Sequence, residues 1–174
     1  FNQIYPSIND YRLGLTLIAT VRGIPQIYYG SEIGMKGEKN KGDADIRRDF
    51  PGGWEGDTKN AFTGQAINNE EKYYLDFTKK LFNWRKNAVA IHKGKTVQFV
   101  PENNVYVYFR IHEKQTVMVV MNNSKQEQTL DLNRFNEVLT NYHSGAEIFT
   151  NAGLNFTEKS LKIAPKTAFI FELK

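Results

Sequence analysis

The sequence of 174 residues contains no cysteine, which excludes disulfide bonds and thiolate metal sites. No apolar run approaches the roughly 20 residues of a membrane-spanning helix. No basic segment followed by an apolar stretch marks a signal peptide. Since the chain opens on Phe1 rather than on methionine, we expect the numbering to begin inside a longer protein.

Neither sign of charge dominates. The 23 Lys and Arg residues exceed the 19 Asp and Glu residues by a net charge of +4, which is too small an excess to predict nucleic-acid binding. Hydrophobic residues make up 40% and charged residues 24% of the chain. This balance predicts a folded core rather than disorder.

Motifs for self-contained catalysis are also missing. The three histidines, His92, His112 and His143, lie outside metal-ligand spacing, and no nucleophile elbow, phosphate loop or dinucleotide fingerprint occurs. We therefore predict no metal site and no cofactor. Two sequons, at residues 122–124 and 155–157, are too common a pattern to indicate glycosylation without a secretory context.

The first 90 residues predict a helix, a short strand and a long loop. Residues 8–22 have apolar side chains at helical spacing after a Ser7 cap, and Gly23 is suited to end that helix. Residues 26–29 predict a short buried strand. The loop over residues 30–66 is long enough to be functional or disordered, and its apolar Phe50 to Trp54 stretch favours a functional or packed loop.

A second helix is predicted from Asn68, with Glu71 as its capping-box partner. From residue 96 the period changes to two, and residues 105–111 predict a half-buried strand that turns at 112–115 into a return strand. Further short strands are predicted at residues 129–132, 147–150, 161–163 and 167–173, with one helical turn at 134–139. Short strands at this spacing favour an antiparallel β-sandwich.

The chemically densest segment is the long loop, which places five charged side chains and a tryptophan within 12 positions: Asp43, Asp45, Arg47, Arg48, Asp49 and Trp54. Charged planar groups hydrogen-bond sugar hydroxyls, and an aromatic ring stacks on a sugar face. The alternative is a salt-bridged surface loop, and composition alone leaves both open.

Residues 23–35, Gly-Ile-Pro-Gln-Ile-Tyr-Tyr-Gly-Ser-Glu-Ile-Gly-Met, resemble the segment around the eighth barrel strand of the α-amylase family of glycoside hydrolases. The Asp-Arg loop with Phe50-Pro-Gly-Gly-Trp54 resembles the neopullulanase and cyclomaltodextrinase members. Residues 117–124, 130–132 and 164–173 resemble that family's C-terminal β-sandwich. The resemblance implies a mixed fold: the last βα unit of a (β/α)8 barrel over residues 1–90, then an antiparallel β-sandwich over 91–174.

The family hydrolyses α-glucosidic bonds with retention, which requires two carboxyl groups about 5 Å apart. The resemblance implies that these carboxylates lie before Phe1, so no catalytic residue is assigned here, Glu32 included. The chain is predicted to be an inactive part of an α-glucan hydrolase acting on starch, maltodextrin, pullulan or cyclodextrin.

The resemblance further implies that Asp43 and Arg47 contact the glucan, because they keep the Asp-to-Arg spacing of a family motif. Ala44 stands where that motif usually has proline. If the motif is aligned one residue later, Arg48 takes the arginine position and Ala44 takes the aspartate position. Trp54 is a candidate sugar platform, with packing under the loop as its alternative.

Two other roles stay open: a starch-binding module using Tyr106, Tyr108 or Tyr142, and a structural cap on the barrel. Besides an α-glucan, the expected partner is a second copy of the chain, bound through exposed barrel surface. The family suggests a periplasmic or extracellular location, and a cytoplasmic one stays open.

Overall fold

The computed structural model describes residues 6–174, which form five helices and eight strands besides short 3-10 turns. The helices are α1 (Ile8–Thr20), α2 (Asp43–Ile46), α3 (Asn69–Asn87), α4 (Val89–Lys93) and α5 (Asn136–Leu139). The strands are β1 (Lys95–Gln98), β2 (Val105–His112), β3 (Gln115–Asn122), β4 (Gln128–Asp131), β5 (Ser144–Glu147), β6 (Gly153–Asn155), β7 (Ser160–Ile163) and β8 (Thr167–Leu173).

Both long helices begin as the sequence predicts. The Ser7 hydroxyl accepts a hydrogen bond from the Asp10 amide at 3.2 Å and caps α1. At α3 the Asn68 side chain accepts from the Glu71 amide at 2.9 Å, and Glu71 accepts in return from the Asn68 amide at 3.0 Å. These reciprocal bonds satisfy amide groups that lack intrahelical partners, so the predicted capping box is confirmed.

All the strand pairs in the described residues are antiparallel. Six strands form one sheet in the order β1-β2-β3-β8-β5-β6, while β4 and β7 form a second, two-stranded sheet. In the β2–β3 hairpin, Val105 lies opposite Asn122 and His112 opposite Gln115, in agreement with the predicted turn at residues 112–115. The antiparallel architecture predicted for the second half of the chain is therefore confirmed.

Both faces of the six-stranded sheet are covered. One face packs on the first-half helices through Tyr108, Val119, Ile170 and their neighbours. The opposite face packs on the two-stranded sheet and on α5 through a second core that includes Phe109, Val120, Leu130, Phe135, Val138, Ile163 and Phe171. The sheet is thus the middle layer of the molecule.

This layering corrects the prediction that residues 105–111 form a half-buried strand. Tyr108 and Arg110 lie on the face expected to be polar and exposed, yet they are 0% and 1% exposed. The reason is non-local. Helices α1 and α4 cover that face, and the alternation of residues within one strand does not predict that helices pack on it.

Polar bonds fix the helices onto the sheet. The Tyr108 hydroxyl donates to Thr20 Oγ1 at 2.5 Å, since that threonine donates its own proton to a backbone carbonyl. Trp84 Nε1 donates to Glu172 Oε1 at 2.7 Å, and Arg110 Nη2 donates to the Ile91 carbonyl at 2.9 Å. These three bonds pair buried or half-buried polar groups across the junction, whereas the buried Arg110 Nε has no hydrogen-bond partner among the described residues.

The strand predicted at residues 26–29 is not formed. None of the strands in residues 6–174 pairs with this segment, and the Tyr28 carbonyl accepts from the Ser31 amide at 3.1 Å in a turn. An isolated extended segment has no neighbour to complete its ladder. Its side chains are also exposed rather than buried, at 60% for Tyr28 and 43% for Tyr29.

The strand predicted at residues 147–150 is also wrong. β5 ends at Glu147, whose Oε2 accepts from the Phe149 and Thr150 amides at 2.9 and 2.8 Å and forms a turn. The next strand, β6, starts at Gly153. The helical turn predicted at 134–139 is confirmed by a 3-10 turn followed by α5.

Candidate functional site

The long loop between α1 and α3 is folded by its own short turns. Two 3-10 turns, at Ser31–Ile33 and Lys39–Lys41, precede α2. Gly37 packs so closely on α2 that a Cβ there would lie 2.5 Å from the Asp45 carbonyl oxygen and 2.9 Å from Ile46 Cα. Only glycine permits this contact, which sets where α2 lies on the loop.

Asp43 and Arg47 are brought together, since Asp43 begins α2 and Arg47 directly follows its last residue. Arg47 Nη2 lies 3.4 Å from Asp43 Oδ2, and Lys39 pairs with the other carboxylate oxygen. The side chains of Asp43 and Arg47 are 52% and 64% exposed. The pair thus presents acceptor and donor groups to solvent, in the form that sugar hydroxyls bind.

Asp45 organises the loop instead of facing solvent. Its Oδ2 accepts from the Glu38 amide at 2.7 Å, and Arg48 pairs with Oδ1. The Glu38 amide and then Arg48 hold the pKa of Asp45 below its ordinary value. Because Arg48 is engaged by Asp45, Arg47 is the arginine that faces Asp43.

Trp54 lies on a separate turn of the same loop. The Asp57 carboxylate accepts from the Gly52 and Trp54 amides at 2.7 and 3.2 Å and holds this turn closed. The Trp54 side chain is 66% exposed, so it is not packed under the loop. Among the described residues, no hydrogen bond links its indole to Asp43 or Arg47.

A cavity of about 360 Å³ lies between the loop and the start of α3. Lys59 reaches across it to pair with Glu71, the same residue that completes the capping box. Burial tends to raise the pKa of Glu71, but Lys59 and the Asn68 amide outweigh it and lower that pKa. The helix cap is predicted from the sequence, but no sequence signal indicates the role of Lys59, which lies 12 positions before its partner.

The tyrosines considered as a starch platform are mostly engaged. Tyr108 is 0% exposed and cannot stack on a ligand, which is a correction to that alternative. Tyr106 and Tyr142 are half-buried, with hydroxyls donating to Gln98 Oε1 and Thr116 Oγ1, both at 2.6 Å.

The described residues contain no group of three or more His, Asp or Glu side chains arranged to hold a metal ion. None of the helices within residues 6–174 combines the length and apolar character needed to cross a bilayer.

Residues 96–172 match the family model described as the cyclo-malto-dextrinase C-terminal domain. The chain is similar to the cyclomaltodextrinase of Thermoanaerobacter pseudethanolicus, with 30% identity over 122 residues, covering 70% of this chain and 18% of the relative. It is also similar to alpha-amylase 3 of Dictyoglomus thermophilum, with 31% identity over 144 residues, covering 73% and 28% respectively. Neopullulanase 2 of Thermoactinomyces vulgaris is 31% identical over 122 residues, covering 69% and 18%.

The fold is similar to that of the alpha-amylase of Geobacillus thermoleovorans, solved in complex with acarbose. The TM-score is 0.73 at 24% sequence identity, and the match covers 99% of this chain and 34% of that one. The chain thus spans less than a third of the curated relatives that it matches. Residues 96–172 belong to the family of cyclo-malto-dextrinase C-terminal domains, and the chain as a whole is similar to part of enzymes of the α-amylase family.

Proposed function

We propose that this chain is the C-terminal part of an enzyme that hydrolyses α-glucans with retention of configuration. In this proposal residues 1–90 are the end of a (β/α)8 barrel and residues 91–174 are the C-terminal domain. The observation that carries it is the fold likeness to an alpha-amylase along 99% of the chain. That likeness includes the helices and the loop that precede the domain matched by the family model.

The loop is the part of the chain that contacts the glucan in this proposal. Loops at the carboxyl ends of barrel strands carry the chemistry of such folds, and this loop follows the segment that resembles the eighth strand. Asp43 accepts hydrogen bonds from sugar hydroxyls, and Arg47 donates to them. Trp54 offers an exposed indole face on which a sugar ring stacks.

The C-terminal domain acts as a cover for the barrel's last helices. The face of its sheet that carries Tyr108 and Ile170 is buried against α1 and α3, and the polar bonds of Thr20 and Trp84 tie the two parts together. This buried contact favours a structural role for the domain over a free starch-binding module.

The chemistry itself requires carboxylates outside this chain, so the two lengths of protein have different expected activities. The protein encoded by the whole reading frame is expected to release reducing sugar from pullulan or cyclodextrin. The chain of residues 1–174 is expected to release none, because it lacks the nucleophile and the acid/base. Hydrolysis by the chain alone, or no α-glucan hydrolysis by the longer protein, contradicts the proposal.

A further inference from the structure

A second concave site lies on the opposite side of the sheet from the helices. A cavity of about 260 Å³ opens between the turn that ends in α5 and the β5–β6 hairpin. Its floor consists of the buried Leu132 and Leu139, and its walls include the half-buried rings of Tyr142 and Phe156. Small-ligand sites combine an apolar base with a few polar groups in this way.

The walls of this cavity are fixed in place. The Tyr142 hydroxyl donates to Thr116 Oγ1 at 2.6 Å, which holds the ring against the main sheet. The Phe156 amide donates to the His143 carbonyl at 3.1 Å, and Ser144 lies opposite Asn155 in the hairpin. The two rings are therefore positioned before any ligand arrives, which lowers the entropic cost of binding.

The rim carries hydrogen-bonding groups that the protein does not use. Within residues 6–174, no hydrogen bond or ion pair engages the side-chain amide of Asn136, the His143 ring, Asn155 Nδ2, the Thr157 hydroxyl or Lys159 Nζ. These side chains are exposed, and all five line the cavity. Their neighbour Asn133, in contrast, donates to Asp131 at 2.8 Å.

The lining contains no carboxylate, so it is unsuited to a cation. Neutral amides and a hydroxyl around aromatic walls are suited to a ligand with many hydroxyl groups and an apolar ring face. We propose that this cavity binds the end of an α-glucan chain, as a second sugar site remote from the Asp43 loop. The choice of an α-glucan, rather than another sugar, rests on the proposed function.

The test is a titration of the 15N-labelled chain of residues 1–174 with maltose, followed by amide chemical shifts. Saturable shifts are expected at residues 132–143 and 155–159. The double variant Asn136→Ala with Thr157→Val removes two free groups without touching the core, and it is expected to weaken maltose binding about tenfold. The matched control Asn87→Ala, at the exposed end of α3, is expected to bind as the unaltered chain does.

Three results overturn this inference: no saturable shift at the cavity residues, an unchanged affinity in the double variant, or an equal response to cellobiose. Shifts confined to residues 43–54 overturn it while leaving the proposed function standing. Conversely, the chain could show saturable chemical-shift changes at the cavity residues while the longer protein cleaves no α-glucan. That combination contradicts the proposed function alone.

Discussion

At the scale of single residues, Asn122 makes the densest set of bonds in the sheet. Its Nδ2 donates to the carbonyls of Gln126, Ile163 and Ala164 at 2.9, 3.1 and 3.0 Å, and its Oδ1 accepts from the Ser124 amide at 2.8 Å. The side chain is 0% exposed. The sequon that begins at Asn122 therefore has no accessible acceptor amide in the folded chain.

Asn122→Ala is expected to lower the free energy of unfolding by about 3 kcal/mol, because it leaves several buried backbone groups unpaired. Urea unfolding followed by circular dichroism measures the change. The neighbouring Asn123→Ala, which removes only an exposed bond from Lys166, is expected to cost less than about 1 kcal/mol. Equal costs for the two variants would show that the buried bonds contribute little.

Gly37 permits the tight contact between the loop and α2. We expect Gly37→Ala to displace this part of the loop and to speed trypsin cleavage within residues 36–48, because a Cβ would overlap the Asp45 backbone. Gly153→Ala is the matched control, since a Cβ there meets nothing within 4 Å. The cleavage rate, read by mass spectrometry, should rise in the first variant only; a rate unchanged by Gly37→Ala would remove the packing argument.

At the scale of elements, an ion pair joins the first turn of α1 to Lys166, the residue directly before β8. Asp10 Oδ2 accepts from the Ser7 hydroxyl at 2.6 Å, and Lys166 Nζ lies 3.1 Å from Oδ1. The Ser7 hydrogen bond, followed by Lys166, holds the pKa of Asp10 below its ordinary value of 3.8. The ionised carboxylate is therefore favoured in the folded state.

A lowered pKa in the folded state gives stability that is present above pH 3.8 and is lost as the pH falls through the folded value. Asp10→Asn is thus expected to reduce the free energy of unfolding by about 0.5–1 kcal/mol at neutral pH, with a difference that shrinks in strong acid. Asp76→Asn, which removes a more exposed carboxylate paired with Lys72, provides the control. If the loss of unfolding free energy caused by Asp10→Asn grows on acidification, the prediction is wrong.

The elements that the sequence predicted well are those whose signals are local. The caps at Ser7 and Asn68 and the hairpin turn at residues 112–115 each depend on residues within a few positions of one another. The errors arose where a distant partner decides the structure. Residues 26–29 carry a strand pattern without a strand beside them, and the burial of Tyr108 and Arg110 depends on helices far away in sequence.

The candidate site followed the same rule. The i, i+4 spacing of Asp43 and Arg47 was visible in the sequence and is a contact in the structure. The ion pair between Lys59 and Glu71, by contrast, joins the loop to the start of α3 beside a cavity. The folded structure brings these two segments together, and no local sequence pattern predicts it. The cavity between α5 and the β5–β6 hairpin had no sequence signal either, since its residues come from two separate segments, 132–143 and 155–159.

At the scale of the whole molecule, the segment after α1 leaves apolar surface exposed. Ile24 is 97% exposed and Tyr28 60% exposed, and the rings of Tyr28 and Tyr29 lie 4.8 Å apart. Contiguous apolar surface of this kind favours association. The chain of residues 1–174 is therefore expected to self-associate as its concentration rises.

Sedimentation velocity over a range of concentrations measures this association. Ile24→Lys with Tyr28→Lys is expected to shift the chain toward monomer, whereas Val100→Lys is not, because Val100 is an equally exposed but separate apolar residue at 77%. A chain that stays monomeric at all concentrations, or one that Val100→Lys dissociates as well, would contradict the assignment of this surface.

The central claim is that the exposed Asp43–Arg47 pair contacts the glucan, and steady-state kinetics of the longer protein on cyclodextrin test it most directly. Asp43→Asn and Arg47→Gln are each expected to lower kcat/KM about tenfold or more, because each removes a charged hydrogen-bonding partner of the sugar. Asp76→Asn removes a carboxylate of an equally spaced and exposed ion pair on α3, and it should leave kcat/KM unchanged. Equal kcat/KM values for the unaltered protein and both loop variants would contradict the account.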